Sequence, residues 1–359
     1  MTAESQELLH LDALRILAAL AIVVLHFRTN LLAAFPDSRG AFQRLDGLSA
    51  GVDLFFVISG FVITWVYRDS IRSRTQYGRF LRKRLARLVP LHWATLAFFV
   101  LVGLAAVMTE TDLPRAGKYD FSCLVPNALL LHAWGLCRGP SFNTVSWSIS
   151  AEMALYLAFP LLLALLHRAP RLFAAALLLL IILLESGFGS PFWVERTYAG
   201  GVIRAVPGFC LGMVLYHWRT LLGRLPVSPV LLAAALALFA GGLAAGWGKG
   251  VLVLLAYLIG ALGVAADVRG KPGRTVRRLA PAGRLTYSVY MLHPIVQSLF
   301  IVLLGKNLLK LDGWPLTLWS ILAIGIALAV SYASLCLFEE PLRRLLSRPL
   351  PKRRLRPHG

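Results

Sequence analysis

The chain has 359 residues, of which 58% are hydrophobic and 15% charged, with a mean hydropathy of +0.70. A soluble domain carries about 25% charged residues, so this composition excludes an ordinary water-soluble fold, and no polar segment is long enough for a soluble domain beside it. The net charge of +20 could mark a nucleic-acid partner, but its placement along the chain speaks against one.

Residues 11–27 form the first apolar run and predict the first of about ten membrane-spanning helices, each near the ~20 residues that cross a ~30 Å hydrocarbon core. Arg15 and His26 interrupt it. A charge in hydrocarbon costs at least a few kcal/mol and persists mainly where it faces a polar cavity or a substrate. The two positions lie eleven residues apart, which is about 16 Å along a helix at ~1.5 Å per residue and about half the core thickness. No basic cluster precedes the run, which instead follows Glu4 and Glu7, so the first helix is expected to stay attached rather than be cleaved as a leader.

The spans are predicted at 9–28, 48–67, 87–108, 148–167, 171–186, 199–217, 228–246, 250–266, 284–304 and 315–338, an all-α integral membrane bundle. The fifth is short and is expected to be tilted or partly submerged. Residues 125–134 are apolar but too few to cross, and read as a re-entrant or interfacial piece. The second connection carries Arg68, Arg72, Arg74, Arg79, Arg82, Lys83, Arg84 and Arg87, and the other even-numbered connections and the tail are also rich in arginine. The positive-inside rule therefore places both termini in the cytoplasm, with 1–345 as one transmembrane domain and 346–359 as a basic cytoplasmic tail. Cys123 and Cys137 share an outward-facing connection, where an oxidising compartment permits a disulfide, whereas Cys210 and Cys336 read as packed thiols within helices.

With that orientation His26, Asp53, Glu152 and Arg204 fall near the outer ends of four different spans. Singly, each is a helix-end residue snorkelling to the interface; in one layer they predict a polar site. A histidine with an ordinary pKa near ~6.5 accepts a proton from a hydroxyl at neutral pH, and a carboxylate, Glu152 or Asp53, can orient and stabilise the imidazolium. No metal is implied, since no element carries paired ligands at metal spacing, and no lysine-bearing phosphate loop or GxSxG elbow is present. His293 precedes Pro294, so its imidazole either satisfies a carbonyl freed by the kink or lines an acyl channel. Tyr287, Ser288 and Tyr290 read as polar packing between helices, Ser146, Ser148 and Ser150 as helix caps, and Glu339 and Glu340 as partners of Arg343 and Arg344. The run Arg79 to Arg87 and the Arg343, Arg344 pair suit either an anionic ligand or lipid headgroups.

Seven blocks in order carry a resemblance. Leu11-Asp12-Ala13-Leu14-Arg15 followed by His26, then Gly51-Val52-Asp53-Leu54-Phe55-Phe56-Val57-Ile58-Ser59-Gly60-Phe61, then Phe80-Leu81-Arg82-Lys83-Arg84-Leu85-Ala86-Arg87-Leu88-Val89-Pro90, then Trp147-Ser148-Ile149-Ser150-Ala151-Glu152 make up the first four. Residues 204–212, Tyr287-Ser288-Val289-Tyr290-Met291-Leu292-His293-Pro294 and Phe338-Glu339-Glu340-Pro341-Leu342-Arg343 complete them. Together, over residues 11–343, the sequence resembles the acyltransferase 3 family of membrane proteins.

The resemblance implies a ten-helix O-acyltransferase of the bacterial cytoplasmic (inner) membrane. It would move an acyl group, most often acetyl, from cytoplasmic acyl-CoA to a hydroxyl of an outward-facing or lipid-linked carbohydrate. By the same carry-over His26 is catalytic with Glu152 and Asp53 in support, as general base or as a transient acyl-imidazole. Arg15, Arg82, Arg84 and Arg87 lie toward the CoA side, and Ser59, Trp147, Ser148, Arg204, Tyr287 and His293 complete the expected substrate contacts. Acyl-CoA is then a donor substrate and no cofactor is permanently bound. The expected partners are acyl-CoA, a carbohydrate or glycolipid acceptor and membrane lipids. A secondary transporter is the alternative; it would show an internal repeat relating its halves, and none is found.

Overall fold

In a computed structural model, the described residues are 7–35, 37, 39–109, 116–187, 193–224, 229–270 and 272–347, and all their regular structure is helical. The long helices are α1 (Leu9–Leu31), α2 (Ala50–Tyr67), α3 (Arg74–Met108), α4 (Trp147–Arg168), α5 (Pro170–Glu185), α6 (Gly201–His217), α7 (Pro229–Ala245), α8 (Lys249–Arg269), α9 (Thr286–Val296) and α10 (Gly313–Ser334). α9 runs on through wider π-type turns, Gln297–Leu308, and α10 through Leu335–Glu339 into Glu340–Leu346.

Among the described residues, seven helical stretches are long and apolar enough to cross a membrane: Leu9–Leu31, Gly40–Tyr67, Arg74–Met108, Thr144–Arg168, Lys249–Arg269, Arg274–Leu308 and Gly313–Leu346. Gly201–His217 and Pro229–Ala245 are apolar but shorter. The outward surface agrees, because Leu101, Val107, Leu172, Val230, Leu318 and Ile321 are exposed on α3, α5, α7 and α10, where water would penalise them and lipid does not. The molecule is an integral membrane protein.

α1 occupies the middle of the bundle. Its Leu11, Leu14 and Ala18 pack with Leu54, Val57 and Val264, while Ile16, Ala19, Val23 and Phe27 on another face pack with Val289, Val296, Leu316 and Ala323. Its first backbone amides are held by Asp267 at the end of α8, whose carboxylate accepts from the amides of His10 at 2.8 Å and Leu11 at 3.0 Å and meets the His10 imidazole at 2.8 Å. α2 and α6 approach to backbone contact. A Cβ at Gly60 would overlap the Phe209 carbonyl, and one at Gly212 would overlap the Val57 carbonyl, so only glycine permits this crossing.

Several expectations are corrected. α3 begins at Arg74 rather than at 87, so the arginine run lies on a helix face: a long-stemmed arginine is a good helix former, and the Ser73 hydroxyl caps the start by accepting from the Gln76 amide at 3.3 Å. The serines of the fourth span are not caps. Ser150 donates to the Leu130 carbonyl at 2.7 Å and accepts from the Ala133 amide at 3.0 Å, and Ser146 meets His132 at 3.0 Å, so both tether the segment expected to be re-entrant. That segment is a short helix, Leu124–Ala128, followed by a turn at Leu130 with φ +59° and a π-type turn, His132–Leu136. Cys123 and Cys137 are disulfide-bonded beside it, with Cα atoms 5.6 Å apart. Cys210 is buried as expected, but Cys336 is exposed on the outer face of the last helix. Glu340 pairs with Arg284, Arg343 and Arg344, whereas Glu339 turns inward to accept from Ser288 at 2.6 Å and Ser334 at 2.8 Å. Most of the basic tail, with Arg348, Lys352, Arg353, Arg354 and Arg356, lies outside the described residues, as do Arg115 and Lys271.

Candidate functional site

The expected single polar layer divides into two cavities at different levels along α1, named outer (at His26) and inner (at Arg15) after the orientation expected from the sequence. The outer one, of 740 Å³, is lined by His26, Arg28, Asp46, Lys118, Glu195, Arg204, Lys249 and Gln297, with Phe42, Leu25 and Pro294 among the apolar lining. The inner one, of 150 Å³, is lined by Arg15, Ser59, Arg84, Arg87, Glu152, Tyr156, Tyr287 and Tyr290 with Phe55, Val62 and Ile63.

At the outer cavity, His26 Nδ1 lies 2.9 Å from the Ile22 carbonyl one turn back on α1 and 3.2 Å from His293 Nε2. A carbonyl only accepts, so Nδ1 carries the proton and Nε2 holds the lone pair. Gln297 donates to the His26 carbonyl at 2.6 Å, tying α9 to the outer end of α1. The charged walls are paired: Arg28 with Asp46 at 2.8 Å, Lys249 with Glu195 at 2.6 Å and Arg204 with Asp53 at 2.6 Å. Arg28 also lies 4.3 Å over the Phe42 ring. Ion pairs and an aromatic face around a half-open space of this size present many donors and acceptors to a small polyhydroxylated ligand.

Asp53 does not orient the imidazole. Its two oxygens accept from Arg204 Nε at 3.1 Å and from Nη2, and it is fully buried. The bidentate geometry consumes the carboxylate, and Arg204 in turn spans to the Ser49 carbonyl at 3.1 Å and lies 5.1 Å over Trp147. Asp53, Arg204 and Trp147 thus form the support behind the cavity.

Glu152 is placed with the arginines, not with His26. It accepts from the Ser59 hydroxyl and lines the inner cavity with Arg15, Arg84 and Arg87. The reason lies in how α4 begins: its start is roofed by residues 130–133 through the serine tethers, so five residues into the helix is already deep in the bundle. Arg15 pairs with Asp12 at 3.1 Å, and Arg84 donates to the Tyr67 hydroxyl at 3.2 Å. Three guanidinium groups around one carboxylate suit an anionic ligand. Arg82 is not part of this set, because its helix position turns it toward the chain's last described residues, where it donates to the Ser347 carbonyl at 3.5 Å. Tyr287 donates to the Leu88 carbonyl at 2.5 Å and closes the side of the cavity toward α3.

Aromatic rings stand between the inner cavity and His293. Tyr290 lines the inner one, its ring centroid lies 6.1 Å from that of His293, and Phe55 meets it edge-on at 5.9 Å. Its hydroxyl donates to the Val145 carbonyl at 2.8 Å and accepts from Ser148 at 2.9 Å. Ser148 is therefore neither a cap nor a nucleophile paired to a base. Among the described residues, no group of three or more His, Cys, Asp or Glu is placed to hold a metal ion.

The sequence reading missed Arg28, Asp46, Lys118, Glu195, Lys249 and Gln297. A signal existed for some of them: Arg28, Lys118 and Lys249 are among the few basic residues of the connections expected to face outward.

The acyltransferase 3 family model, which describes an acyltransferase domain, matches residues 8–336. The chain is similar to acyltransferase MdmB of Streptomyces mycarofaciens, with 36% identity over 166 residues that cover 45% of this chain and 40% of that protein. It is also similar to exopolysaccharide production protein ExoZ of Rhizobium meliloti, with 29% identity over 316 residues that cover 82% of this chain and 90% of that protein. The chain therefore aligns with two-fifths of the first relative's length and nine-tenths of the second's. No solved structure matches the chain.

Proposed function

We propose, from the premise that this chain belongs to the acyltransferase 3 family, that it takes an acyl group from cytoplasmic acyl-CoA and passes it to a hydroxyl of a carbohydrate on the other side of the membrane. The chain is an acyl-transferring enzyme of the membrane. One observation carries the proposal: a single helix, α1, presents Arg15 to an arginine-lined cavity and His26 to an imidazole-bearing one, and Tyr290, which lines the first, lies 6.1 Å from His293 beside the second.

The inner cavity, at 150 Å³, is too small for a nucleotide and fits the narrow pantetheine end of the donor. The nucleotide then stays toward the cytoplasm, with its phosphates drawn by Arg84 and Arg87. The thioester advances past Tyr290 toward His26. There Nε2 takes the proton of the acceptor hydroxyl as its oxygen bonds to the thioester carbon; the tetrahedral intermediate collapses, the carbon–sulfur bond breaks, and the leaving thiolate takes the proton back from the imidazolium. The positive-inside pattern and the disulfide on the connection opposite the arginines support an outward acceptor side in a bacterial cytoplasmic membrane of ten spans. A carbohydrate acceptor is supported by the ion-pair walls of the outer cavity and by the name of the exopolysaccharide production relative.

The test is transfer of labelled acetyl from acetyl-CoA to cell-surface glycan in membranes carrying His26→Ala, where a loss of about 10²–10⁴-fold is expected for removal of a general base. Arg87→Gln is expected to raise the KM for acetyl-CoA with less effect on kcat, because it removes binding common to ground and transition states. Transfer at the parental rate by the His26→Ala protein would refute the reading.

A further inference from the structure

We infer that His293 is the positioning residue for His26, filling with a neutral imidazole the place that a carboxylate takes in a hydrolytic triad. The inference rests on the proposed role of His26 as base. His293 is completely buried, and its Nδ1 donates to the Val289 carbonyl at 3.0 Å, one turn back on α9. That bond fixes the tautomer: with the proton on Nδ1, the His293 Nε2 is a lone-pair acceptor. It points at His26 Nδ1, 3.2 Å away, the nitrogen whose proton is also shared with the Ile22 carbonyl. The ring centroids are 4.9 Å apart with 44° between planes, which permits the lone pair of one ring to meet the N–H of the other.

The consequence is directional. A chain of donors runs from His26 Nδ1 to His293 Nε2 and from His293 Nδ1 to Val289, so the basic lone pair of the His26 ring sits on Nε2, the nitrogen required to take a proton from the acceptor. When that nitrogen is protonated, the positive charge on the His26 ring strengthens its Nδ1–H bond to His293, so the interaction gains energy as the reaction proceeds. Asp53 is engaged by Arg204, and Glu152 lines the other cavity, so neither sequence-predicted carboxylate takes this place. Pro294 supports the arrangement. Its missing amide loosens the turn of α9 that carries His293, and the following residues continue in wider π-type turns that bring Gln297 to the His26 carbonyl.

A pair of substitutions separates positioning from packing. The carboxamide of glutamine reaches the place of an imidazole Nε2, whereas that of asparagine reaches the place of Nδ1. His293→Gln therefore keeps an acceptor for His26, and His293→Asn keeps the bond to Val289 but abandons His26. In membranes from a deletion strain complemented with each variant, labelled acetyl-CoA is the donor and the unmodified glycan of that strain is the acceptor. The expected result is a kcat close to the parental value for His293→Gln and about 100-fold lower for His293→Asn, the scale of a misplaced reacting group, with the KM for acetyl-CoA unchanged in both. Equal rates for the two variants, or a faster asparagine variant, would overturn the inference. Nitrogen-15 spectra of imidazole-labelled parental protein supply a readout that needs no variant: both rings protonated at Nδ1 support it, and His26 protonated at Nε2 overturns it. Activity surviving in His26→Ala sinks the base itself, whereas a silent His26→Ala beside two equal His293 variants sinks only the pairing.

Discussion

Asp53 gives both carboxylate oxygens to Arg204, and both side chains are buried, so neutralising one strands the charge of the other. Asp53→Asn is expected to lower stability by about 3–5 kcal/mol, as breaking a buried pair does, and a double change of Asp53 and Arg204 to leucine is expected to recover much of that loss. Thermal unfolding in detergent checks both; a double variant no more stable than Asp53→Asn would show that the pair does more than cancel charge. At this scale the sequence was legible wherever an ionisable group interrupted an apolar run, which is how Arg15, His26, Asp53 and Arg204 were found. It was not legible for pairing. Which carboxylate faces which cation depends on helix rotation and start depth, and Glu152 shows the difference: counted from the start of its helix it belongs beside His26, but that start is covered by residues 130–133 and the carboxylate descends to the arginines.

Between elements, the α2–α6 crossing sets the site's geometry, because it brings Arg204 on one helix against Asp53 on the other. Its closeness depends on Gly60 and Gly212, whose missing side chains are replaced by the carbonyls of the opposite helix. Gly212→Ala is expected to cost about 1–3 kcal/mol through overpacking, and because backbone rather than a flexible side chain stands in the way, relief requires the helices to part. A lower melting temperature accompanied by reduced transfer is the expected outcome; unchanged stability would show that the crossing tolerates a Cβ. Apolar periodicity located the helices but not their ends. α3 extends thirteen residues before the predicted span, because arginine-rich sequence is helix-compatible although it is not hydrophobic. The serines of α4 bond to a covering segment because that segment's turn leaves the Leu130 carbonyl and Ala133 amide in need of partners.

Over the whole molecule, lipid acts as the solvent for exposed leucines and isoleucines, and polar groups collect around α1. The lipid-facing surface was readable from composition, and the polar groups on α1 from Arg15 and His26 within the first apolar run. The separation of the site into an arginine cavity and an imidazole cavity was not, although the eleven-residue spacing of Arg15 and His26 already held its scale. In the proposed reaction, donor and acceptor meet from opposite faces. The direct measurement uses the purified protein in sealed, uniformly oriented vesicles, with labelled acetyl-CoA on the arginine-rich face and unmodified glycan on the other. Labelled glycan on the far side is expected, with no transfer when the two compartments are exchanged. Transfer that occurs only when donor and acceptor share one side would contradict it.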